Sequence, residues 1–142
     1  MNLSRRTDYA VRAAIDLALE GHDGLVQLRE IAARQAIPEK YLEQLLRALK
    51  TAGVVVATRG SRGGYQLSRP AEQISLLSVF EAVEGPIQGE ESPDDSQSAA
   101  SVVQECWDEM TAGLKAQFAR VSIAELAGRY RGRLDQGQHW VI

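Results

Sequence analysis

Apolar positions along this chain recur first at helical and then at strand spacing. From about Thr7 to Glu20, Val11, Ala14, Ile15, Ala18 and Leu19 fall at i, i+3, i+4, i+7 and i+8, predicting an amphipathic helix. The polar stretch from Gly21 to Gly24 ends it. A short second helix over about Leu28 to Gln35 would bury Leu28, Ile31 and Ala32. Pro38 suits the first turn of a third, whose stripe is Leu42, Leu45, Leu46 and Leu49. Lys40, Glu43, Gln44, Arg47 and Thr51 occupy its opposite face, and Gly53 is the expected left-handed stop.

The period then changes. Val54-Val55-Val56 favours a strand, and Tyr65-Gln66-Leu67-Ser68 alternates as its return partner across a glycine- and arginine-rich turn. Ser75 opens a fourth helix with Leu76, Val79, Phe80 and Val83 inward, closed by Gly85-Pro86. Short helices followed by such a hairpin make a winged helix-turn-helix over residues 1–85. Residues 86–98 are rich in Gly, Glu, Ser, Pro and Asp and predict a flexible acidic loop.

Residues 99–134 return to helical spacing. A long fifth helix from about Ala99 to Arg120 carries Val103, Trp107, Met110, Leu114, Phe118 and Val121 three or four apart. Ser122-Ile123-Ala124-Glu125 is a capping box for a sixth helix to about Leu134, and the tail 135–142 has no clear pattern. A long apolar stripe set apart by a loop is commonly buried against a symmetry mate, so a homodimer through the fifth helix is expected. The fold class is mainly α with a small β wing: a winged helix-turn-helix plus a long dimerisation helix.

Composition sharpens this picture at one point. The 142 residues are 44% hydrophobic and 25% charged, ordinary for a globular chain, and the net charge is −3. That total conceals an asymmetry. The first seventy residues hold 11 basic and 7 acidic side chains, whereas the remainder hold 5 and 12. No acidic residue falls between Gln44 and Ala71, while Arg47, Lys50, Arg59, Arg62 and Arg69 all do. A basic helix and wing inside an acidic protein point to a polyanion partner, double-stranded DNA above all. No apolar run approaches a membrane span and no apolar segment follows the N-terminal arginines, so the expected location is the cytoplasm, with no membrane partner.

The chemistry fits that partner. Lys40, Glu43, Gln44 and Arg47 are long and directional enough to read base edges, since Arg pairs with guanine, Gln with adenine, and Glu accepts from cytosine. In the turn Arg59-Gly60-Ser61-Arg62-Gly63-Gly64, glycines allow backbone near a phosphate and arginines supply charge for a narrow groove. Arg5 and Arg6 could add phosphate contacts. The plainer alternatives are a solvated helix face with a Glu43–Arg47 pair, and a hairpin that needs glycine only for its dihedrals. Nothing points to catalysis: the chain lacks a Cys/His nucleophile pair, and its glycine-rich turn leads into a strand instead of a helix N-terminus.

The segments LSRRTDYAVRAAIDLA, LREIAARQAIPEKYLEQLLRALKTAGVV and RGSRGGYQLSRP resemble the winged-helix repressors grouped with the regulators IscR, NsrR and CymR, the Rrf-two family. ISLLSVFEAVEGP and VSIAELAGRY also resemble family segments. The resemblance implies a homodimer with a helix swapped across the two-fold, binding near-palindromic promoter DNA, with Glu43 and Arg59 as DNA contacts.

It also implies a sensor that this chain departs from. Cluster-binding members carry three cysteines between the fourth and fifth helices; here that stretch has Ser92, Ser98, Ser101 and only Cys106. Serine hydroxyls are poor iron ligands, which argues against a conventional iron–sulfur cluster and leaves no expected cofactor. Cys106 has three readings: a small buried hydrophobe, a redox thiol forming an interchain disulfide, or a ligand in an unusual dimer-bridging site. His22 and His139 lie far from it in sequence. The competing functions are a regulator whose dimer binds a metabolic enzyme, and a cluster or redox sensor with replacement ligands.

Overall fold

The computed structural model describes residues 2–21, 24–87 and 97–139. Most of the acidic loop expected over 86–98, including Ser92, lies outside the described residues, as do His22 and the last three positions of the tail. The side chain of His139 is not described either. Among the described residues, six α-helices and one hairpin follow in the expected order: α1 (Arg5–Glu20), α2 (Leu28–Gln35), α3 (Glu39–Thr51), β1 (Val55–Thr58), β2 (Gly64–Leu67), α4 (Leu76–Glu84), α5 (Ala99–Arg120) and α6 (Ile123–His139). This mostly helical chain with a two-stranded antiparallel sheet is a winged helix-turn-helix with a long helical extension.

Ser4 caps α1, its hydroxyl accepting from the Thr7 N–H at 3.1 Å. The same hydroxyl donates to Glu84 at the far end of α4, joined by the Thr7 hydroxyl at 2.8 Å. These two donors hold the Glu84 carboxyl below the usual carboxylate range. The buried face of α1 is Ala10, Ala13, Ala14 and Leu17, not the stripe centred on Val11 and Ile15 that spacing suggested. The reason is that α1 is packed by several elements at once, among them α3, α4 and α6. Val11 and Ala18 are therefore only partly buried.

One charged residue sits inside this core. Asp16 is 2% exposed. Arg34 reaches it from α2 with two parallel hydrogen bonds of 2.9 Å, and the Gln35 amide donates a third at 3.1 Å. The direct bond to Asp16 raises the Arg34 guanidinium above its ordinary value. Arg12 adds a bond to the Gln35 carbonyl and lies 5.1 Å over the Tyr9 ring, which meets Tyr41 of α3 edge-on at 5.6 Å.

The turn from α2 to α3 passes through Ala36 in a left-handed conformation, φ 53° and ψ 48°, rare for a residue with a Cβ. It delivers Leu42, Leu45, Leu46 and Leu49 into the core, the four positions read from the sequence. Pro38 precedes the first helical residue as the cap. Gly53 takes φ 78° just past the helix and lets the chain turn into β1.

At the other end, α5 and α6 join through Val121-Ser122, clamped onto the start of α4. Leu76 N–H donates to Val121 O at 2.7 Å, and Ile123 N–H to Ile74 O at 2.8 Å. Ile74 and Ile123 are both fully buried there. The Ser122 hydroxyl accepts from the Glu125 N–H at 3.0 Å, the expected cap, and α6 then continues past Leu134 to His139. Its final turns carry little apolar periodicity, which is why spacing stopped short.

Removing the central carboxylate tests its role. Asp16→Ala should cost about 2–4 kcal/mol in urea unfolding, toward the low end for a broken buried pair because the abandoned Arg34 still reaches water. A loss under about 1 kcal/mol would contradict that account.

Candidate nucleic-acid interface

α3 and the hairpin enclose a cleft of about 420 Å³ whose lining includes Glu43, Arg47, Lys50, Arg59, Gly60 and Gly63. Residues some twenty positions apart in sequence thus share one concave, mostly basic surface. Arg47 pairs with Glu43 at 3.4 Å, both side chains more than half exposed, so the contact is weak and both remain free to reorient. Lys40 and Gln44 are exposed on α3 beside the cleft, and Ser61 and Arg62 are exposed at the wing tip. Arg5 is exposed on the first turn of α1, outside the cleft. Arg6 is tied down, donating to the Val83 carbonyl at 3.1 Å, and Arg69 donates to the Gln73 carbonyl at 3.3 Å.

The wing is more than a hairpin. Val26, in the loop before α2, exchanges both backbone hydrogen bonds with Tyr65 at 2.8 Å each, adding a third rung to the sheet. β1 and β2 pair from Val55 against Leu67 to Thr58 against Gly64. A Cβ on Gly63 would stand 2.1 Å from the Thr58 carbonyl oxygen, and one on Gly64 would stand 2.6 Å from that of Val26. These two glycines are demanded by the fold itself, whatever the turn backbone meets. Gly60, with φ 110° and open space around it, leaves the turn backbone exposed.

The same contact brings in a residue that sequence reading missed. Gln27, Leu28 and Arg29 at the start of α2 line a shallow crevice with Gly60, Ser61, Gly63 and Gly64. Arg29 therefore adds a cation beside the wing. Only the pairing of Val26 with Tyr65 puts it there, and no spacing rule would.

The fifth helix contrasts with this ordered face. Val103 (68%), Trp107 (61%) and Met110 (64%) stand exposed, along with Val102 (65%). Leu114 and Phe118 are partly covered, Phe118 meeting Phe80 of α4 at 4.9 Å between ring centroids. Cys106 is exposed, so within this chain it is not the buried hydrophobe that its place near the stripe suggested. Phe118, near the C-terminal end of α5, meets α4, whereas Val103, Cys106, Trp107 and Met110 are exposed.

Among the described residues, no group of three or more His, Cys, Asp or Glu side chains could hold a metal ion, and no helix is long and apolar enough to cross a membrane.

Comparison with known proteins agrees with this architecture. The sequence profile described as "Rrf2: Iron-dependent Transcriptional regulator" matches residues 3–129. Protein rrf2 of Nitratidesulfovibrio vulgaris is 35% identical over 130 residues, covering 89% of this chain and 87% of its own. The HTH-type transcriptional regulator IscR of Cereibacter sphaeroides is 50% identical over 86 residues, 59% of this chain and 56% of its own. Among solved structures, the global cysteine regulator CymR of B. subtilis superposes with a TM-score of 0.76 at 29% identity, covering 91% of this chain and 98% of that one.

The wing geometry carries its own test. Gly63→Ala should open the turn and speed amide exchange at Tyr65, whereas Ser61→Ala at the exposed tip should not. Unchanged protection of Tyr65 in the Gly63 variant would contradict the tight closure.

Proposed function

The chain belongs to the Rrf2 family of transcriptional regulators, and on that footing we propose that it is a sequence-specific repressor that binds double-stranded promoter DNA as a homodimer. The observation that carries the reading is the shared cleft, in which α3 and the wing present Arg47, Lys50 and Arg59 on one surface. In this reading Lys40, Glu43, Gln44 and Arg47 face base edges in the major groove. Arg59 and the backbone of Gly60 to Gly63 meet the adjacent backbone or minor groove, with Arg62 and Arg5 as outlying phosphate contacts. The weak Glu43–Arg47 pair supports it, because side chains locked in a strong ion pair would have to be separated before reading a base.

The exposed stripe of α5 supports the dimer. Val103, Trp107 and Met110 in a row form an apolar patch of the kind that marks an interface, and a second copy would cover Leu114 and Phe118 further along. Two-fold symmetry would then set two α3 helices against paired half-sites.

The family description names iron, and the donor set here does not fit an iron–sulfur cluster held by one chain. The chain has a single cysteine, and clusters are held by several thiolates. One thiolate per chain therefore favours a regulator without a cluster. The exposed Cys106 leaves a redox role compatible with it.

Two expected outcomes follow. Arg59→Ala should weaken binding to all DNA and lower its salt slope by about one, while Glu43→Ala should chiefly relax base preference. Footprinting and salt titration against specific and random duplexes separate the two; equal losses on both DNAs for both variants would sink the assignment. Wild-type protein for this comparison is purified without oxygen, and bound iron in that sample would remove the cluster-free part of the reading. Trp107→Asp should shift sedimentation from dimer to monomer, and an unchanged sedimentation coefficient would count against α5 as the interface.

A further inference from the structure

A second crevice, of about 400 Å³, lies between α6, α1 and the end of α2, away from the DNA-facing cleft. Ile15 of α1 and Leu126 of α6 make an apolar floor, and the Tyr130 ring lines it beside them. Arg12, Arg129 and Arg133 also line it, and among the described residues no carboxylate does. Leu126, Arg129, Tyr130 and Arg133 fall at i, i+3, i+4 and i+7, so one face of α6 supplies most of the site.

The charges there are unequal. Arg12 is paired with Asp8 at 3.2 Å and Arg129 with Glu125 at 2.8 Å. Arg133, one turn beyond Arg129, has no hydrogen bond or ion pair among the described residues. The crevice thus joins an apolar floor and an aromatic ring to one guanidinium fork that no described residue compensates. That combination suits a carboxylate on a short or flat apolar body. The volume falls in the lower part of the roughly 300–1,000 Å³ range of small-molecule sites, and a carboxylate accepts both donors of a guanidinium fork.

We propose that this crevice binds a small organic carboxylate as an effector of the regulator. Its head group sits on Arg133 and its apolar part on Ile15, Leu126 and Tyr130. The site also touches the DNA-reading apparatus. Arg12 donates to the carbonyl of Gln35, the last residue of α2, and the left-handed Ala36 that aims α3 comes next. A carboxylate that draws Arg12 toward the crevice competes for that bond, so occupancy and DNA affinity are linked in both directions.

The site itself is tested without DNA, so the result stands apart from the DNA-binding reading. Full-length protein is titrated calorimetrically with benzoate and 3-phenylpropanoate, and with benzamide as the uncharged counterpart of benzoate. Saturable binding of a carboxylate is expected, with benzamide at least about tenfold weaker. Arg133→Met should weaken the carboxylate about tenfold, and Arg131→Met, outside the crevice, should leave it within about twofold. No saturation below about 10 mM, equal tightness of benzamide, or equal loss in both variants would overturn the site. A carboxylate that binds yet leaves wild-type DNA affinity within about twofold would overturn the coupling.

Discussion

The structure hangs on one buried carboxylate. Asp16 is buried on α1 beside alanine and leucine, and its carboxylate oxygens are met by Arg34 and Gln35 of α2. A carboxylate in that position without partners would cost several kcal/mol, so α1 cannot slide or rotate against α2 without orphaning it. Apolar packing alone would tolerate small shifts, because alanine faces offer little shape. The directional bonds remove that freedom, and the position of α2 sets the turn at Ala36 and hence the aim of α3.

From that anchor the basic cleft is built in two steps with different physics. The leucine stripe of α3 fixes which of its faces looks outward, by hydrophobic burial. The wing is then set by backbone geometry, through the Val26–Tyr65 bridge and the close approaches at Gly63 and Gly64. The arginines ride on this frame without holding it together. Charge and scaffold are largely separable, which lets the cleft be both basic and well formed.

The C-terminal part follows a different logic. The backbone clamp at Ile74, Val121 and Ile123 ties the α5–α6 junction to the winged domain, and Phe118 against Phe80 secures the adjoining end of α5. Beyond that the helix projects with its apolar residues uncovered. Such an uncovered apolar stripe is what the proposed dimer would bury. The same anchoring places α6 along α1, and so creates the arginine-lined crevice next to α2.

Much of this was legible in the sequence, for local reasons. Helical period, the capping serines, Gly53 and the change to strand alternation reflect near-neighbour chemistry, so the element order, the inward face of α3 and the extent of α5 could be read directly. The basic run from Gln44 to Ala71 likewise marked the segment that forms the basic cleft between α3 and the wing. Tertiary structure decided what depends on contacts distant in sequence. It turned the buried face of α1 toward the small residues because several elements pack around it. It assigned Gly63 and Gly64 to wing closure because Thr58 and Val26 crowd them, and it brought Arg29 beside the wing. It left Cys106 exposed because α5 stands off the domain, and it brought Arg12 and Arg133, far apart in the chain, to one crevice. Spacing reports which residues share a face; only the packed chain determines what that face meets.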